Sequence, residues 1–178
     1  MEFIPKNFRK SNDIEVLSDS SNNWIKFRRL RFAAAGDGEY AALSDLDLGG
    51  LNLHDFVADH LVFVHCNLDG ASFAGTDFVF DTIFIGCSMQ GVNLMNTHSA
   101  GALFYGCDMT GARFPGTPWT NVDLDNQKIR SYFIDCSLEK SVQEYLVEDG
   151  NYIGTFAEVD PYIVQRITEA TNAPKVDL

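Results

Sequence analysis

A period of five residues runs through the middle of this chain and limits its fold more than any other feature. From Ala41 the sequence divides into AALSD, LDLGG, LNLHD, FVADH, LVFVH, CNLDG, ASFAG and TDFVF. One residue, Asp81, interrupts, and TIFIG, CSMQG, VNLMN, THSAG, ALFYG, CDMTG, ARFPG, TPWTN, VDLDN and QKIRS resume the frame. The frame slips again near Tyr132–Asp135 and is briefly restored in CSLEK. The third position is large and apolar in 16 of these 18 quintets, with Ala58 and Ser99 the exceptions, and the fifth is Gly in nine. A helix repeats every 3.6 residues and a strand every two. A period of five suits a chain that turns a corner after each very short strand. Positions one and three then point inward and position two outward. Positions four and five form the corner, where Gly relieves backbone restriction. Four such sides close a square coil of about 20 residues, so the expected fold is an all-β, four-sided solenoid.

Coil stacking predicts columns of interior side chains. The first is Phe63, Phe84, Phe104 and Leu124; the second is Leu68, Met89, Met109 and Ile129. The third is Phe73, Leu94, Phe114 and Ile134; the fourth is Ala58, Phe78, Ser99 and Trp119, with Trp119 leaning into the space left by Ser99. Asp81 reads as a corner bulge, because the first three columns cross it without changing character. Cys66, Cys87 and Cys107 share one inward position with Gln127 next, and Cys136 also begins a quintet. Buried free cysteine behaves as a small hydrophobe. The cysteines are therefore expected in the core, with neither a disulfide framework nor a metal set of CxxC or Cys/His spacing.

The ends depart from the pattern. IKFRR and LRFAA at residues 25–34 fit the quintet frame, with Ile25, Phe27, Leu30 and Phe32 inward and Lys26, Arg28, Arg29 and Arg31 as a basic outer patch. This gives three segments: an N-terminal cap at 1–24, a solenoid at 25–140, and a helical cap at 141–178. In the last, Ser141 and Glu144 read as a capping box, with Val142, Tyr145 and Leu146 on one apolar face and Gly150 as the stop. Asp160 and Pro161 read as the start of a second helix carrying Ile163, Val164, Ile167 and Ala170 at helical spacing. Both helices are expected to cover the open end of the solenoid, where the last coil exposes unpaired edges. Tyr152, Ile153 and Phe156 either pack internally or form a dimer face.

CNLDG, ASFAG, VNLMN and CDMTG follow the pattern A(D/N)LXX, and over about residues 41–140 the chain resembles the pentapeptide-repeat family. The resemblance implies a right-handed quadrilateral β-helix. Some members bind DNA gyrase or topoisomerase IV and protect against quinolones or other gyrase poisons. Some of these carry long projecting loops that matter for protection, whereas this chain has only the interruption at Asp81, so the resemblance implies binding more than protection. Many gyrase-binding relatives dimerise through C-terminal elements, which implies a homodimer through 141–178.

Charge points the same way. The formal net charge is -12, and between Asp37 and Asp125 there are twelve acids against one basic residue, Arg113. Such a surface repels nucleic acid and acidic membrane and favours basic protein surfaces. The candidate partner-binding residues are Asp45, Asp47, Asp55, Asp59, Asp69, Asp77, Asp108, Asp123 and Asp125. Five coils span about 24 Å at strand spacing, which matches roughly seven base pairs of B-DNA at about 3.4 Å each. The charge suggests a non-enzymatic DNA mimic, and the family resemblance implies a type II topoisomerase such as DNA gyrase as its target; the alternative is an adaptor or effector scaffold that binds a protein through a solenoid face. Catalysis has no support. His54, His60, His65 and His98 fall at outward or corner positions, His65 and Cys66 point in opposite directions, and no phosphate-binding glycine motif is present. No cofactor is expected. Without a secretory signal or an 18-residue apolar stretch, the expected location is the cytoplasm.

Overall fold

The computed structural model describes residues 14–19, 24–29, 40–53, 57–58, 61–78, 82–99, 101–115, 121–122 and 128–175. In chain order the strands are β1 (Ile14–Asp19), β2 (Trp24–Arg29), β3 (Ala41–Ser44), β4 (Val57–Ala58), β5 (Leu61–Val64), β6 (Asp77–Phe78), β7 (Ile83–Ile85), β8 (His98–Ser99), β9 (Leu103–Tyr105), β10 (Asn121–Val122), β11 (Lys128–Ile129) and β12 (Tyr132–Ile134). Helix α1 (Lys140–Glu148), β13 (Tyr152–Gly154), one 3-10 turn (Phe156–Glu158) and α2 (Pro161–Thr171) complete the chain.

The middle of the molecule is the expected parallel β-solenoid. One wall is a six-stranded sheet in the order β13-β12-β9-β7-β5-β3. A second is the row of bridges Asp47–Asn67–Ser88–Asp108–Ser137, and a third is Asn52–Ser72–Asn93–Arg113. The fourth is the parallel sheet β4-β6-β8. Alternation on these short strands sends every second side chain inward. Leu43, Phe63, Phe84, Phe104 and Phe133 lie in register across the first wall, each 0% exposed. Their four phenyl rings stack at 4.9 Å with interplanar angles of 2–5°. Phe73 meets Phe63 and Phe84 edge-on. Leu68, Met89, Leu94 and Met109 are buried as expected, and Phe114 is half-buried with its ring against Phe133. The corner following the first wall takes positive φ at Asp45, His65, Gly86, Gly106 and Asp135. The non-glycine residues there tolerate what Gly adopts freely.

The quintet frame fails after Pro115. Phe104 pairs with Phe133, not Leu124, so that coil is nine residues longer than a 20-residue step. Asn121–Val122 and Lys128–Ile129 pair with each other as an antiparallel ladder. Ile129 therefore leaves the second column, where Ser137 bridges Asp108 and Leu138 packs on the core. Ile134 leaves the third and lies beside Tyr105 on the first wall. The expected partner of Cys107 changes with it: Cys136, not Gln127, continues the cysteine column. Ser99 is buried, its hydroxyl 2.7 Å from that of Ser131. Phe78 is in register between Ala58 and Ser99. Asp81, Trp119, Leu124, Leu30 and Phe32 lie outside the described residues.

The N-terminal segment also differs from expectation. Ile25 and Phe27 belong to β2, which pairs antiparallel with β1, Val16 opposite Phe27 and Ser18 opposite Ile25. This is a hairpin, not a first solenoid side.

The C-terminal segment binds one wall at both ends. Helix α1 begins at Lys140 with Glu139 as its uncapped N-cap, so Ser141 lies inside the first turn; Glu144 pairs with Lys140 at 3.7 Å instead of closing a capping box. Leu146, Val142 and Tyr145 pack on the interior core, closing its last coil. Gly150 stops the helix with φ 91°. Then β13 adds in parallel to β12. Helix α2 starts as read, with Asp160 Oδ1 accepting from the Ile163 amide at 3.1 Å and Pro161 in the first turn. It does not cover an end. Ile163, Ile167 and Ala170 form a second buried cluster with Ala42, Val62, Ile83, Ile85, Leu103 and Ile134. These are outward residues of the first wall, so α2 lies across the outside of that sheet. Beyond it, the Ala42 amide donates to Pro174 O at 3.1 Å and Lys175 bridges to Ala42. The segment thereby covers the exposed edge of β3, which would otherwise present unpaired backbone.

Candidate partner-binding surface

Four of the five acids described in the solenoid between residues 40 and 115 lie on the second wall and its two corners. Among the described solenoid residues from 40 to 115 the acids are Asp45, Asp47, Asp69, Asp77 and Asp108. Asp47 and Asp108 stand in the outward row of the second wall, and Asp69 sits at its following corner. Asp45 is at its preceding corner, in the same corner column as Asp135. The third wall presents Asn52, Ser72, Asn93 and Arg113. The first wall is apolar and lies under α2. Asp77 is on the fourth wall, paired in register with His98. Asp55, Asp59, Asp123 and Asp125, with His54 and His60, lie outside the described residues.

Hydrogen bonds between successive coils hold the second wall's carboxylates in place. Asn67 Nδ2 donates to Asp47 Oδ1 at 2.9 Å. Ser88 Oγ and the Gln90 amide donate to Asp69 Oδ1 at 2.6 and 2.8 Å. Gln90 Nε2 donates to Asp108 Oδ2 at 2.7 Å. Thr110 donates from both its hydroxyl and its amide to Asp108 Oδ1, at 2.7 and 3.1 Å, which holds that carboxyl below its ordinary pKa. Donors to the charged form favour it. Asp45 is partly neutralised by Lys175 Nζ at 3.3 Å, an exposed pair that contributes little to stability. Asp135 Oδ2 accepts from the Phe156 amide at 3.1 Å. The wall thus offers negative charge held in place by hydrogen bonds.

His65 and His98 are exposed, His65 with φ 53° over Gly86. Cys66, Cys87 and Cys107 are buried free thiols and Cys136 is half-buried. Among the described residues no three or more His, Cys, Asp or Glu side chains converge as a metal site, and no helix is long and apolar enough to cross a membrane. Tyr152 and Ile153, candidates for a dimer face, pack on the two core clusters. Phe156 remains partly exposed against Tyr105. The position-two row of the second wall was readable in the sequence. The partition of faces was not, because it needs the coil to which each quintet belongs.

The family model described as Pentapeptide repeats matches residues 82–117 in 8 copies. No curated protein sequence matches the chain. The similar solved structures include two of low TM-score. A pentapeptide repeat protein from the Arabidopsis thaliana thylakoid lumen is 21% identical over 64% of this chain and 79% of its own, with TM-score 0.26. QnrB1, a plasmid-mediated fluoroquinolone resistance protein, is 18% identical over 56% of each chain, with TM-score 0.23. The matched repeats coincide with coils whose rings, corner glycines and bridges stack in register, and residues 82–117 of this chain are pentapeptide repeats.

Proposed function

We propose that this protein is a non-enzymatic binding protein that presents its second wall to the basic surface of a protein partner. The surface it fits is the DNA-binding surface of a type II topoisomerase such as DNA gyrase or topoisomerase IV, which it occupies in the manner of DNA. The confinement of Asp47, Asp69 and Asp108 to one wall and its corner carries this reading. From Asp47 to Asp108 is three coil steps, about 14 Å at strand spacing, or roughly four base-pair steps of DNA. Rigid carboxylates at that scale can displace DNA from a cationic groove and release its bound anions. The reading assigns the protein to the cytoplasm with its target and gives it no direct affinity for nucleic acid.

The test is binding to purified gyrase at low and moderate salt together with inhibition of DNA supercoiling. Wild type should bind more weakly as salt rises, and the D47N/D69N/D108N variant should lose both activities. Failure of the wild type to bind at low salt discards the topoisomerase target. A second reading, an adaptor or homodimer contacting protein through the C-terminal elements, is favoured by exposed Val147, Phe156 and Tyr162. Substituting these three with Ser, leaving the second wall intact, separates the two readings.

A further inference from the structure

The four cysteines form one straight interior row. Cys66 donates to Leu43 O and Val64 O, Cys87 to Phe63 O and Ile85 O, Cys107 to Phe84 O and Tyr105 O, and Cys136 to Phe104 O and Ile134 O, all at 3.4–3.6 Å. The same geometry thus recurs in four successive coils. Leu43, Phe63, Phe84 and Phe104, which supply one acceptor each, are neighbours in one parallel ladder. The sulfur atoms therefore repeat at strand spacing, about 4.8 Å.

That spacing is too long for a direct bond and suited to one bridging atom. A disulfide needs sulfurs about 2.05 Å apart, and all four thiols are free. A metal–thiolate bond is about 2.3 Å, so two in line span about 4.6 Å. A cation that demands four converging ligands finds none, because each sulfur has neighbours only above and below. Thiolates select soft cations. We propose that adjacent cysteines of this row bind a soft divalent d10 cation in two-coordinate, linear geometry, the pairs being Cys66–Cys87 and Cys107–Cys136.

Charge balance favours the divalent ion. Two thiolates in an apolar interior are neutralised by one divalent cation. On binding, each of two thiols releases its proton to solvent and forms one metal–sulfur bond, leaving a neutral bis-thiolate. An interior of stacked phenyl rings tolerates a neutral unit and penalises a charged one. Half-buried Cys136 is the end of the row nearest solvent.

The probe is mercuric ion added to the folded protein. Thiolate-to-metal absorption in the ultraviolet should saturate at about two ions per chain, one for each adjacent pair, and the melting temperature should rise. X-ray absorption should give two sulfurs at about 2.3 Å in line. Two double variants with equal thiol counts discriminate. C66A/C87A keeps the adjacent pair Cys107–Cys136 and should bind half as much. C87A/C136A leaves Cys66 and Cys107 two coils apart and should form no site with two protein sulfurs. Alanine is tolerated at first positions of quintets, as buried Ala71 and Ala112 show. Equal two-sulfur coordination in the two variants overturns the proposal. So does a wild type that binds only once unfolded, which would lower its melting temperature.

Discussion

Replacing Phe84 tests the stacked interior directly. Its side chain is 0% exposed, lies 4.9 Å from the rings of Phe63 and Phe104, and meets Phe73 edge-on at 6.0 Å. Parallel rings at that centroid distance are offset stacks, a favourable aromatic arrangement. Phe-to-Ala changes in cores cost about 3–5 kcal/mol, the upper end applying where the site cannot collapse. Here collapse is blocked, because the flanking rings are fixed by backbone ladders in their own coils. The expected cost of Phe84→Ala is therefore about 4–5 kcal/mol. Phe84→Leu restores most of the volume, as Leu43 does in the same column, and loses chiefly ring–ring contacts of about 0.5–1.5 kcal/mol each. With three such contacts near the lower end of that range, its expected cost is about 1.5–2.5 kcal/mol. Urea unfolding followed by circular dichroism, with the midpoint shift read at unchanged slope, measures both. A cost below about 1 kcal/mol for Phe84→Ala, or equal costs for the two variants, would refute the ladder.

Ile167→Asp should release α2 from the outside of the first wall and expose Val62, Ile83 and Leu103, seen as increased anilinonaphthalene sulfonate fluorescence with far-ultraviolet ellipticity largely kept. Asp160→Ala removes the acceptor for the Ile163 amide and should cost about 1 kcal/mol in the same urea assay. The Asp108 carboxyl has a folded pKa below its unfolded value. Its contribution is thus present above the unfolded pKa, about 3.9, and lost as pH falls through the folded one. The stability gap between wild type and Asp108→Asn should accordingly narrow in acid; a gap independent of pH would contradict this. Because that carboxylate is largely solvated, the gap should be small.

The limits of sequence reading show best at the fourth coil. QKIRS satisfies the quintet rule locally, with Ile129 at its third position, yet SYFID supplies the wall, with Phe133 under Phe104. The outward residues explain the choice. Wall quintets carry Val62 and Val64, Ile83 and Ile85, and Leu103 and Tyr105 beside the central ring. QKIRS would put Lys128 and Arg130 on that apolar face, whereas the observed register puts Tyr132 and Ile134 there. The signal existed at the coil period but is invisible within a single quintet. The capping box at Thr155 and Glu158 was likewise missed, while the one expected at Ser141 does not form, because α1 has its N-cap at Glu139, two residues earlier.

What the amino acids alone determined was local. A large apolar residue every five positions, with glycine at corners, permits little besides a square coil, because only that path returns each such side chain to one interior. The start of α2 at Asp160 was equally local, since an N-cap bonds within its own first turn. Tertiary structure decided which coil follows which, where α2 lies, and which wall keeps its carboxylates exposed. Those outcomes depend on contacts between residues far apart in sequence, Ala42 with Pro174 and Phe104 with Phe133 among them. Such contacts form only where shape and burial agree across coils, and no period within the chain records that agreement.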